Sequence, residues 1–192
     1  MPTAPTLTAS FERRDSTVRV DYTVLNPGRD TLYLTNHACR FDPSGPVPDH
    51  NEAFVFIEGC VVHVAKRIPP PPPAFHNRIP HFVTPLLPGQ DFSETIVLEL
   101  PLRPRVPYRN VQLSGARIQA THAYFSVGYK LANPLVQAVQ TERAGQEVVL
   151  LRSPLEKSQP RPRGLSLPAE QFLLSPCREL ILPVLMGTPQ AP

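Results

Sequence analysis

His37 and Cys39 stand two residues apart, a spacing that puts an imidazole and a thiol on one face of an extended chain. Two such soft ligands could begin a tetrahedral metal site, with His50, Cys60, His63, His76 or His81 left to complete it. Cys60 and His63 do not help each other, because residues three apart in a strand face opposite ways. The spacing matches no standard zinc motif. Cysteines as small core hydrophobes and histidines as loop residues are the ordinary expectation for these types, so no metal and no other cofactor is expected. A metal-binding protein or an enzyme using the His37/Cys39 region is kept as the alternative.

Other catalytic signatures are thinner. Gly164-Leu165-Ser166-Leu167-Pro168 begins like a nucleophile elbow but ends in proline, and it lies in a linker rather than between a strand and a helix. Cys39 beside Arg40 could have a depressed pKa, yet a reactive thiol also needs a positioned base, and only His37 is near in sequence. There is no glycine-rich phosphate loop. Asp21, Asp42, Glu94 and Glu99 are isolated carboxylates for which solvated strand faces and turns suffice. The expectation is a chain that is not an enzyme.

Interaction features carry more. Lys66-Arg67 precedes five consecutive prolines, Pro69 to Pro73, which can join neither a helix nor a ladder and must run as polyproline II. Phe75 and Phe82 follow, and Pro101 to Tyr108 sets three prolines around Arg103 and Arg105. A stiff loop with cations and aromatics beside it is a recognition surface for a protein partner, with Lys66, Arg67, Pro70, Pro71, Phe75, Arg103, Arg105 and Tyr108 as its candidate residues. A plain spacer between sheets is the competing explanation for the same loop.

The elements that would hold this surface are strands. From Thr17 to Val24 polar and apolar residues alternate, with Val18, Val20, Tyr22 and Val24 on one face. Asn26 to Asp30 reads as a turn returning the chain through Thr31 to Thr35 in a hairpin, with Leu7 to Phe11 a shorter strand before it. Ala53 to Ile57 and Cys60 to Val64 flank Glu58-Gly59 as a second hairpin. Pro88-Gly89-Gln90 opens Phe92 to Leu100, where Ile96, Leu98 and Leu100 share a face, and Ala123 to Leu131 gives a further strand in which Gly128 leaves room for a bulge or a close neighbour. Val20, Tyr22, Ile96, Leu98, Phe125 and Val127 are the expected core. Short strands separated by turn signals, with no sustained helical period, define an all-β chain: an antiparallel immunoglobulin-like β-sandwich over residues 1–134 with proline-rich loops. Residues 135–192 form a proline-rich C-terminal extension in which Glu147 to Leu151 could add a strand. Leu180 to Leu185, apolar apart from Pro183, should dock on the sandwich or on a neighbouring copy, giving a route to a homodimer.

Composition supports the same class. Of 192 residues 41% are hydrophobic and 26 are proline, which fits one core with proline-bearing loops and argues against long helices. The formal charge of +3 is spread along the chain and there is no tryptophan, so nucleic acid is not an expected partner. No apolar run approaches the ~20 residues of a membrane span, and Glu12-Arg13-Arg14-Asp15 interrupts the start before any signal-like stretch, so a cytoplasmic location is expected, though a mature exported chain would read alike.

The run Val18-Arg19-Val20-Asp21-Tyr22-Thr23-Val24-Leu25-Asn26-Pro27-Gly28, then Leu32-Tyr33-Leu34 and later Leu87-Pro88-Gly89-Gln90, resembles the bacterial immunoglobulin-like and fibronectin-III-like superfamily. Within it the pattern is similar to the small bacterial intracellular proteinase inhibitor family. The likeness spans roughly residues 7–131 and implies a β-sandwich with a binding or inhibitory role. No reactive-loop motif is present, so no inhibitory residue carries over.

Overall fold

The computed structural model describes residues 4–43, 45–67, 81–106, 111–132, 137–143, 145–152 and 170–189. Among these there is no helix, and the fold is a β-sandwich. A three-stranded sheet has the order β1 (Thr6–Arg14), β2 (Thr17–Leu25), β9 (Asp91–Glu99). A nine-stranded sheet runs β11 (Gln137–Arg143), β12 (Gln146–Arg152), β8 (His81–Leu86), β3 (Leu32–Leu34), β10 (Val111–Leu131), β7 (Val61–Lys66), β6 (Phe54–Glu58), with β13 (Gln171–Leu174) and β14 (Arg178–Pro189) also paired on β10. A separate hairpin joins β4 (Ala38–Asp42) to β5 (Gly45–Asp49).

The alternation in β2 does what its period implies: Val18, Val20, Tyr22 and Val24 are all buried, and with Ile96 they form the inner face of the small sheet. Facing them are Val62, Val64, Phe125, Val127, Leu182 and Val184 of the large sheet. Leu98 packs against this core while staying partly exposed. The Tyr22 and Phe125 rings meet at 4.5 Å between the two sheets.

One expected hairpin is not there. β2 pairs with β1 and β9, whereas β3 pairs with β10 and β8, so residues 26–31 carry the chain from one sheet to the other. Asn26 makes that crossing. Its buried side chain donates to the carbonyls of Asp30 and Leu86 (both 2.9 Å) and accepts from Gly28 N (3.1 Å). Its backbone bonds Gln90 and Gly89 of the second crossing, from β8 to β9, where Gly89 takes φ 75°. A Pro-Gly turn signal is the same whether a chain folds back within a sheet or steps to the facing one, and here both flanking strands have apolar faces to bury from opposite sides.

The β6–β7 hairpin is present with a two-residue loop, but the loop is Gly59-Cys60 rather than Glu58-Gly59: Gly59 takes φ 58° and Glu58 pairs with Val61. β7 then lies parallel to β10, the one parallel pair among the described strands. Ser126 and Val127 pair with both β7 and β13, and Tyr129 with both β3 and β13. A strand residue has one neighbour on each side, so β7 and β3 follow each other along one edge of β10 while β13 and β14 follow along the other. Gly128 sits where these meet: a Cβ there would strike Thr35 and Glu170, which hydrogen-bond each other across it. β14 draws the apolar C-terminal segment into the same chain's sheet, with Leu182 and Val184 fully buried. β10 is far longer than Ala123–Leu131, because β14 supplies the partner that makes strand of residues 111–122, whose apolar residues keep to no single face.

Candidate functional site

Strand parity separates the two cations expected to act together. In β7, Val62, Val64 and Lys66 face inward, while His63 and Ala65 lie on the outer face, the side on which Arg67, just past the strand's end, meets Phe56. Lys66 is therefore not part of an exposed loop. Its ammonium has no exposed surface and meets Glu94 Oε2 at 2.7 Å, and it also donates to the His50 carbonyl. The Tyr22 hydroxyl donates to the same Glu94 oxygen, so Glu94 is a buried partner rather than a solvated strand carboxylate. Burial lowers the Lys66 pKa, with Glu94 opposing, and burial raises that of Tyr22, with Glu94 adding to it.

His37 lies beside this cluster. Nε2 meets Thr84 Oγ1 at 3.0 Å, the ring contacts His50 edge-on at 4.5 Å, and burial followed by the His50 charge pushes its pKa down to about 4. The side chain of Cys39 lies outside the described residues. Among the described residues no group of three or more His, Cys, Asp or Glu is placed to hold a metal ion.

Arg67 is different. Its guanidinium carbon sits 4.9 Å from the Phe56 ring centre and 5.4 Å from that of Phe172, between two aromatic faces. Phe56 belongs to a row of rings set by cross-strand register: Phe56 pairs with His63, and His63 with Tyr124. The rings follow at 5.3 and 4.3 Å, the second pair within 9° of parallel. His63 Nε2 and Ser126 Oγ share a hydrogen bond of 2.7 Å, and burial followed by the nearby Arg67 charge pushes the His63 pKa down to about 4. On the same face Phe172 is 44% and Leu174 63% exposed. The outward side of a two-layer sheet is ordinarily polar, so a row of rings with two large exposed apolar side chains beside it marks a surface of another kind.

Arg103 and Arg105 lie elsewhere. Arg105 pairs through its backbone with Val55 on the edge of β6 and through its side chain with Glu52. Both arginines line a cleft of about 540 Å³ together with Asp49, Glu52, Val97 and Glu99. Arg67 and Arg105 thus both adjoin β6, one over its Phe56 ring and one along its edge, but they do not form one surface. Pro70, Pro71, Phe75 and Tyr108 lie outside the described residues.

Sequence reasoning missed His63, Tyr124 and Phe172 as companions of Arg67. A two-residue loop fixes hairpin register, but the loop expected at Glu58-Gly59 would have paired Phe56 with Val61; with the loop at Gly59-Cys60 the partner is His63. The parallel partner Tyr124 and the distant Phe172 carried no local signal. No protein-family model, curated protein or solved structure matches the chain. Among the described residues no helix is long and apolar enough to cross a membrane.

Proposed function

We propose that this chain is a non-catalytic protein-binding module built on an immunoglobulin-like sandwich, and that it meets its partner with the outer face of the large sheet around Arg67. The observation that carries this is the arginine clasped between Phe56 and Phe172 beside exposed Leu174. Aromatic residues and arginine are the types enriched where protein interfaces concentrate their affinity, and arginine held by flat rings loses little entropy on binding. The titratable cluster around Glu94 supports the same reading by default: its groups are engaged with one another in the core, as struts are, with Lys66 fully enclosed.

Affinity capture from the native host tests this. Wild type and a Phe172→Ser/Leu174→Ser variant, both substitutions at exposed positions, are compared at equal loading. A protein retained stoichiometrically by wild type and lost from the variant is the expected result; equal retention by both would place the contact elsewhere and end this assignment.

A further inference from the structure

We infer that the Arg67 face takes a partner segment through a carboxylate, an Asp or Glu flanked by an apolar residue, with the acid on the guanidinium and the apolar side chain over Phe172 and Leu174. The inference rests on the protein-binding reading above and specifies the chemistry of its partner.

The argument is one of unmet charge. Three arginines of the fold have acids, Arg14 with Glu12, Arg19 with Asp21 and Arg105 with Glu52, and of the arginines without one Arg67 alone among the described residues combines aromatic contacts with a buried, unpartnered Nε. Arg67 has two rings and no carboxylate among the described residues, and its Nε is buried without a hydrogen-bond partner. The chain that follows it cannot supply one, because residues 68–80 contain no Asp or Glu. A guanidinium braced by aromatic rings still has its planar fork of N–H donors to offer, and that fork matches a carboxylate bidentately. The rings also keep water from much of that site, which strengthens the ion pair formed there. The surface beside it is apolar rather than cationic, so a single acid next to an apolar side chain fits it, whereas a phosphate backbone would want a row of cations. A chain of formal charge +3 favours an acidic partner on approach as well.

The test pans the full chain against a random peptide library and measures fluorescent versions of the enriched peptides by anisotropy. Enriched peptides should carry Asp or Glu beside an aliphatic or aromatic residue. Arg67→Gln should weaken them at least ~10-fold, the scale of an interface hot spot, and Arg67→Lys should restore only part, since an ammonium keeps the charge but not the planar fork. Changing the peptide's acid to its amide should cost the same factor with wild type and nothing further with Arg67→Gln. If peptides bind and are lost with Phe172→Ser/Leu174→Ser, yet ignore Arg67→Gln or lack an acid, the carboxylate inference falls while the protein-binding face stands. If no peptide depends on Phe172 and Leu174, the face itself is refuted. Arg67-dependent binding of oligothymidylate or anionic vesicles in place of peptides would overturn the inference in favour of phosphate. Markedly tighter peptide binding by Glu156→Gln would make the chain's own Glu156 the occupant and overturn it likewise.

Discussion

Glu94→Gln tests the buried cluster between the sheets most directly. Lys66 has no exposed side-chain surface and Glu94 only 11%, so the ion pair between them is shielded from water. Glutamine keeps the size of the side chain and can still accept from Tyr22, but it leaves an ammonium without counter-charge. Breaking a buried pair from one side costs roughly 3 to 5 kcal/mol. That is a large share of the about 5 to 15 kcal/mol by which such domains are stable. At roughly 2 to 4 °C per kcal/mol for a chain of this length, Tm should fall by about 6 to 20 °C. Burial already lowers the Lys66 pKa. Without Glu94 the folded protein favours the neutral amine further, while the unfolded chain keeps an ordinary lysine. The deficit should therefore shrink as pH rises toward the ordinary lysine range. Lys66→Met/Glu94→Gln removes the stranded charge and should be more stable than Glu94→Gln alone. Thermal and urea unfolding followed by circular dichroism reads both of these variants and Lys66→Met alone against wild type. A Glu94→Gln loss under about 1 kcal/mol, the scale of an exposed pair, would refute the reasoning. So would a double variant as damaged as the two single ones added together.

Asn26→Ala removes the side chain that ties both crossings together and strands the Leu86 and Asp30 carbonyls; at about 1 to 3 kcal/mol per unsatisfied buried group, stability should drop by about 2 kcal/mol or more, and an unmoved urea midpoint would contradict this. Acid should weaken the fold through His37, whose pKa falls from 6.5 to about 4 on burial. The unfolded chain takes up a proton that the folded one refuses, so stability is full above pH 6.5 and is lost as pH falls toward 4, by roughly 3 kcal/mol at the acid end. His37→Gln should flatten that slope in urea titrations across the window. Deleting residues 178–192 removes β14, and with it Leu182 and Val184, each worth roughly 1.5 to 3 kcal/mol of burial, so Tm should drop clearly; an unchanged Tm would mean the strand is not docked in solution.

Strands that bury one face by themselves were legible, and strands made by their partners were not. β2 announces itself because its apolar residues fall on one parity and meet a core. β11, with sequence QAVQTER, carries little apolar signal and is strand because apolar β12 pairs along its whole length. The first half of β10 scatters its apolar residues over both parities, Val111 and Leu113 on one and Ile118 and Ala120 on the other, and only β14, some seventy residues later in the chain, fixes it. Topology was least legible of all. Asn26 looks like any turn asparagine, and nothing local says that its amide will bond to Leu86, sixty residues away, and so hold two sheets apart in sequence but together in space.

The candidate site divides along the same line. Arg67 was visible as a cation beside a run of five prolines, but so was Lys66, and residue type cannot tell them apart. Parity can: a strand that puts Val62 and Val64 into the core must send residue 66 inward and residue 67 outward, if it runs that far. Lys66 is the last residue of β7, so its fate depended on where the strand ends, the feature of a sequence least fixed by its residues. Glu94 obeys the same rule, lying on the parity of Phe92, Ile96 and Leu98, so two charges directed inward on facing sheets were available as a pair. Once they neutralise each other in the core, Arg67, just past the strand's end, is left as the cation on the outward side, and the rings from β6 and β13 beside it make that position a site. A one-residue slip of β7 would exchange the two, burying Arg67 against Glu94 and presenting Lys66 to the rings. That exchange would keep every charge and lose the planar fork on which carboxylate recognition at this face depends.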